Sequence, residues 1–185
     1  MYIMAMELIF IRHGQTDFNK NKIPQGQEID VGLNEEGIRQ VEAAAANVPE
    51  HVDVFFSSPL KRAFQSAEII NAKFKMPIQI HDGIKEFSYG SLAGKPWPQI
   101  EEETGGRATR AADQSLAFDY RAYGGESIDD LKKRVLAFVE EMKATYPDKT
   151  VLVAAHGGVI GAMHLLFPQA EQAEVVNAGV HRFQF

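Results

Sequence analysis

Two short apolar runs, each stopping at a histidine followed by glycine, constrain this chain more than any other feature. Leu8-Ile9-Phe10-Ile11 leads into Arg12-His13-Gly14, and Val151-Leu152-Val153-Ala154-Ala155 leads into His156-Gly157-Gly158. Uncharged and bounded by charge or glycine, each run reads as a strand buried on both faces, the kind found in parallel sheets. Parallel strands of an open α/β sheet end on a common edge, and ligands of such sheets bind there. The pattern therefore predicts that two histidines from opposite ends of the sequence converge.

The segments between them read as the rest of such a sheet and its covering helices. Gln15 to Gly32 is polar and rich in turn formers and reads as a loop beside the shared edge. Asn34 is a candidate N-cap for a helix whose apolar face is Ile38, Val41, Ala45 and Val48, ended by Pro49. Val52 to Phe56 is a strand, followed by Ser57-Ser58-Pro59, a serine cap with proline at the first helical position. The stripe Leu60, Phe64, Ala67, Asn71 and Phe74 places Arg62 in the first helical turn, off that stripe and at the histidine edge. Pro77 to Ile80 is a short strand, and Asp82 to Gly90 leaves the sheet.

Leu92 to Gly125 is irregular, with a short helix at Pro98 to Thr104, and reads as an excursion over the site. Trp97, Arg107, Arg110 and Arg121 lie in it and could touch substrate, though a solvated or locally packed surface is the expectation for any one of them. Ser127 and Asp130 have capping-box spacing at the head of the longest helix, whose face is Ile128, Leu131, Val135, Phe138 and Met142. Gly157 to Leu166 forms a closing helix, and Val180 to Phe185 alternates weakly, as an edge strand would. His51, His81, His164 and His181 have no evident partners and read as structural or surface residues.

Composition narrows the partners. The 185 residues fit one domain, 1–185, able to bury a core without disulfides, and a formal charge of −6 argues against nucleic acid or an anionic membrane as partner. No cysteine is present, which removes thiol nucleophiles and cysteine zinc sites. The opening Met1 to Met6 is apolar but has no positive n-region, so no signal peptide is expected and a cytoplasmic location is. Thr150 to Phe167 carries no formal charge, yet its glycines, its histidines and Pro168 favour strand, turn and helix over a membrane span.

The edge collects Arg12, His13, Arg62 and His156, with Glu86 nearby. Two arginines suit bidentate contacts to phosphate oxygens. A neutral imidazole can attack phosphorus without a separate base, while arginines and a protonated second histidine meet the charge on the equatorial oxygens. The departing alkoxide needs a proton, which a carboxylic acid held protonated by its surroundings can give and later reclaim. Glu86 is the candidate. No Gly-rich Lys-Ser/Thr loop for a nucleoside triphosphate is present.

These residues resemble the histidine phosphatase superfamily, the phosphoglycerate mutase-like group. The resemblance rests on Arg12-His13-Gly14-Gln15-Thr16 with Asn19, Gln25-Gly26, Leu33 to Gly37, and Ser57 to Ala63. It continues through Glu86 with Tyr89-Gly90 and Gly94, Gly125-Glu126-Ser127, and His156-Gly157-Gly158. It implies a three-layer αβα sandwich with a mainly parallel central sheet and a capping excursion at about 92–125. It also implies a covalent phosphohistidine on His13, a pocket of Arg12, Arg62 and His156, Glu86 as acid and base, and neither a metal nor another cofactor. Asn19, Gln25, Gly26 and Gly157 are candidate substrate contacts, although the first three could simply serve turns, and Glu126 and Ser127 could cap a helix as readily as meet a ligand.

Cofactor-dependent mutases of the group look like Glu-Arg-His-Tyr-Gly where this chain has Glu86-Phe87-Ser88-Tyr89-Gly90, and carry threonine where Gln25 stands. The expectation is therefore a phosphomonoesterase of the histidine acid phosphatase type, acting on a small phosphorylated metabolite. Mutase-type phosphoryl transfer is the alternative, and a non-catalytic phosphate-binding module is the alternative of another class. A metal hydrolase is disfavoured, because arginines beside the histidines repel a cation. The natural substrate and the oligomeric state are not specified by any pattern in the sequence.

Overall fold

The computed structural model describes residues 5–185. Most of the apolar opening read above as lacking a signal peptide lies outside the described residues. A five-stranded sheet organises the chain, built from β1 (Glu7–Arg12), β2 (Val54–Ser57), β3 (Ile78–Ile80), β4 (Thr150–Ala155) and β5 (Val180–Gln184) in the order β3-β2-β4-β1-β5. All neighbours pair in parallel except β5, which runs antiparallel along the outer side of β1. The expected mainly parallel sheet and terminal edge strand are both present.

Alternation along the central strands feeds two cores. Leu8, Phe10, Val151 and Val153 point to one face, where α6 (Ile128–Thr145) and α7 (Gly157–Leu166) pack. Ile9, Ile11, Leu152 and Ala154 point to the other, covered by α2 (Glu35–Ala44) and α3 (Lys61–Phe74). Leu8 to Ile11 and Val151 to Ala155 are fully buried, as strands sandwiched between helical layers must be. The uncharged Thr150 to Phe167 stretch is therefore strand plus helix, and no described helix is long and apolar enough to cross a membrane.

Several local expectations shift. The polar loop after His13 contains one short helix, α1 (Asp17–Lys20), closed by a Thr16–Asn19 capping box. In α2 the inner face is Gly37, Val41 and Ala44, and Ile38 is 41% exposed. Gly37 lies against the backbone of Gln15, where a side chain would collide, and this turns its neighbour Ile38 outward. α3 starts at Lys61, two residues later than the serine-proline pattern predicts. Asp30 Oδ1 caps it by accepting from the Lys61 N–H at 2.7 Å, while Ser57 completes β2.

The buried face of α3 is Arg62, Ala63, Ser66, Ala67 and Ile70; Phe64 and Asn71 sit at its rim. Arg62, expected off the inner stripe, is fully buried because the segment 24–30 folds over the head of the helix and offers it backbone carbonyls.

The excursion carries two helices, α4 (Trp97–Glu103) and α5 (Arg110–Gln114), with single turns of 3-10 helix at Gly90–Leu92 and Arg121–Tyr123. α5 has no apolar periodicity to announce it, and Thr109 caps it by accepting from the Ala112 N–H. Ser127 and Asp130 form the anticipated reciprocal capping box on α6.

Candidate active site

Strand register brings the site together. Arg12 pairs with Ala155, and the His13 N–H donates to the Ala155 carbonyl at 3.0 Å, so His13 and His156 leave neighbouring strands at one level. Their ring centroids are 5.3 Å apart, inclined at 60°. On the far side of β4 the Ser58 N–H donates to Ala154 O, and this places the Ser58 hydroxyl 2.8 Å from His156 Nε2. Ser58 thus holds the second histidine instead of capping α3.

Each charged group has its own mooring. His13 Nδ1 lies 2.7 Å from the Gly14 carbonyl, which can only accept, so Nδ1 carries the hydrogen and Nε2 keeps its lone pair. Arg62 donates through Nη1 to Ile29 O at 3.0 Å and through Nη2 to Gly26 O at 2.7 Å. Arg12 Nη1 donates to Val175 O at 2.8 Å. The Nε–H groups of both arginines are buried without a partner. Unmet buried donors of positive charge are what an anion would satisfy.

Glu86 stands with the two histidines; one nitrogen or oxygen from each of the three lies within 4.8 Å of the others. Its Oε1 accepts from the Phe87 and Gly158 N–H groups at 2.8 and 3.0 Å, leaving Oε2 for the cavity. Arg134 fixes the backbone beneath it, donating to the carbonyls of Gly83, Lys85 and Glu86 at 3.0, 2.6 and 2.9 Å, and is paired with Glu126. Glu126 therefore anchors Arg134, and the neighbouring Ser127 does the capping.

Asn19, Gln25, Gly26 and Gly157 all line the same cavity, whose volume is about 410 Å³. Asn19 and Gln25 are tied to each other through the Thr16 hydroxyl, and Gly26 has φ +60° beneath Arg62. Of the excursion residues read as surface, Trp97 and Arg110 reach the cavity. Arg107 instead turns back on Thr104, and Arg121 on Asp119.

Burial sets the protonation of the histidines. Both imidazoles are held well below their ordinary 6.5, by desolvation first and then by the positive charge of Arg62 and other nearby groups. The same burial and charge disfavour the protonated form of His156, so a protonated second histidine needs the negative charge of a bound phosphate to support it. Burial also presses Arg12 and Arg62 below the usual guanidinium value, opposed in each case by Glu86. His13, Glu86 and His156 could reach one metal ion, but the two guanidinium groups make the position unfavourable for a cation.

The family model for the histidine phosphatase superfamily (branch 1) matches residues 8–184. The chain belongs to this superfamily. It is 33% identical to the uncharacterized phosphatase PhoE of Bacillus subtilis, over 95% of this chain and 86% of that protein. It is 34% identical to a metal-independent phosphoserine phosphatase of Arabidopsis thaliana, over 95% and 74% of the two chains. Among solved structures it resembles a mycobacterial glucosyl-3-phosphoglycerate phosphatase complexed with VO3, with TM-score 0.80, 28% identity, and coverage of 95% of this chain and 91% of that one. The αβα architecture read from the sequence is that of these phosphoglycerate mutase-like phosphatases.

Three contributors to the histidine phosphatase site were not legible as such. Arg134 looks like any solvent-facing helix charge. Asn177, whose Nδ2 donates to His13 O at 3.1 Å, lies in a tail without periodicity. Asp113 sits in the unannounced α5. Only Arg134 left a trace, a charge adjacent to the inner stripe residue Val135.

Proposed function

We propose that this chain is a phosphatase that hydrolyses a small phosphomonoester through a covalent phosphohistidine on His13. The supporting observation is the pair of buried imidazoles beside two guanidinium groups with unmet buried N–H donors. His13 Nε2 attacks phosphorus, forming a P–N bond as the P–O bond to the leaving alcohol breaks. Arg12, Arg62 and His156 hold the equatorial oxygens. Glu86 passes a proton from Oε2 to the departing oxygen, then takes one from the water that cleaves the P–N bond, and both groups return to their starting states.

Hydrolysis is favoured over mutase transfer by Phe87. Where mutases of the group are expected to carry a substrate-holding arginine, this side chain is buried against Tyr89 and Tyr120 and offers no second anion contact. The test is release of phosphate from p-nitrophenyl phosphate in excess chelator. Turnover is expected, with loss of at least about 10³-fold in His13→Ala. Abolition by chelator supports a metal hydrolase, interconversion of phosphoglycerates faster than phosphate release supports a mutase, and vanadate binding without turnover supports a binding module.

A further inference from the structure

We infer that Asp113 selects the alcohol half of the substrate by accepting a hydrogen bond from its hydroxyl groups, so that the ester hydrolysed is the monophosphate of an uncharged polyol or sugar. This rests on the phosphatase reading above. Asp113 lies on α5 and lines the cavity that holds His13 and Glu86. Its Oδ1 accepts from the Tyr120 hydroxyl at 3.2 Å, and the Tyr89 side chain lies beside the same carboxylate. Even with both hydroxyls donating, about half the acceptor capacity of a carboxylate stays unused. Among the described residues no cation forms an ion pair with it; Arg110 is near but exposed. An acceptor partly withdrawn from water and left short of donors is completed by a ligand that brings them.

The charge of the cavity indicates what kind of donor. Arg12 and Arg62 are the positive groups beside the histidines, with Glu86 in the protonated form the mechanism needs; Lys22 and Arg110 of the lining are exposed and screened by water. A phosphate monoester carrying close to two negative charges balances that pair of guanidinium groups. What remains of the substrate should then be neutral, so that hydroxyls meet Asp113 in preference to an ammonium, and no additional carboxylate is called for. Trp97 and Leu116 of the excursion supply apolar wall for the C–H surface of such a group.

The experiment compares kcat/KM for glucose 6-phosphate, n-butyl phosphate and phosphoethanolamine in the wild type, Asp113→Ala and Asp113→Asn. The wild type is expected to favour the hydroxylated ester over the alkyl ester by at least about tenfold. Asp113→Ala should bring that ratio near one, while Asp113→Asn, whose amide oxygen still accepts, should keep part of it. Equal rates on the two esters in the wild type, an unchanged ratio in Asp113→Ala, or preference for phosphoethanolamine would overturn the inference. Thermal melts of both variants show whether each is folded. If p-nitrophenyl phosphate also resists hydrolysis, the phosphatase reading fails separately, and the same tenfold contrast is sought in the Kd values of glucose 6-phosphate and butyl phosphate, with its absence again counting against Asp113.

Discussion

His13 has two guanidinium groups for neighbours and almost no water, and this combination determines the pH range in which its lone pair is free. Because its conjugate acid is held well below 6.5, the ring is already neutral in mildly acid solution. The enzyme's acid limb in kcat/KM, corrected for the ester's own second ionisation near about 6, should therefore lie well below pH 6.5. A limb at the ordinary histidine value would contradict the burial argument.

At Gly158 the prediction is steric. A Cβ there would press on Glu86 Oε1 and on Phe87, displacing the candidate proton donor. Gly158→Ala should slow esters of poor leaving groups by about 10²-fold, the lower end of what general acid catalysis contributes, and aryl esters far less. Measuring both ester classes on one preparation checks this, because a merely unfolded variant loses them equally.

At this scale His13, His156 and Arg12 were readable because each ends or follows a strand. The burial of Arg62 was not, since the carbonyls that receive it come from a loop more than thirty residues away.

Elements carry that alignment through a few cross-links. Arg134 ties α6 to the segment bearing Glu86 with three backbone hydrogen bonds and one ion pair. Arg134→Met keeps the stem but removes these bonds, and should cost about 1.5–3 kcal/mol, the range for hydrogen bonds to a charged group. In a chain of this length that is a fall in Tm of roughly 3–12 °C. It should also lower kcat more than it raises KM, since in the proposed mechanism Glu86 acts on the leaving group and the arginines hold the phosphate; an unchanged kcat would show that the loop needs no such pin. Helix existence was legible from periodicity and capping, as at Asn34 and Ser127. Helix phase was less so. Ile38 and the start of α3 depended on Gly37 meeting Gln15 and on Asp30 reaching Lys61, contacts between distant segments that no local pattern contains.

Over the whole molecule, protonation couples to stability with opposing signs. His181 pairs with His164 at 3.0 Å between β5 and α7, a contact not anticipated for either residue, and burial holds His181 down to about 4. Above pH 6.5 the folded and unfolded chains are both neutral at this ring. As pH falls from 6.5 towards 4, the unfolded chain takes up a proton that the folded one refuses, and stability is lost. His13, His156 and His164 act in the same direction.

Asp113 works against them. Burial raises it to about 6, helped by Glu86 and opposed by Tyr89, Tyr120 and Arg110, so folding retains its proton between 3.8 and about 6 and stability there rises as pH falls. Four histidines against one acid predict a lower Tm at pH 5 than at pH 7. Asp113→Asn should steepen that drop; a shallower one would reverse the assigned sign.

The 5.3 Å between the two imidazoles is close to the roughly 4.8 Å that separates hydrogen-bonded strands. The distance at the centre of the site is thus inherited from the peptide ladder between β1 and β4. Insertions in the excursion can reshape which molecules enter without altering that interval. A single residue added inside β1 or β4 would turn one ring to the opposite face of the sheet. Variation in this architecture is consequently cheap at the rim and forbidden at the two strand ends.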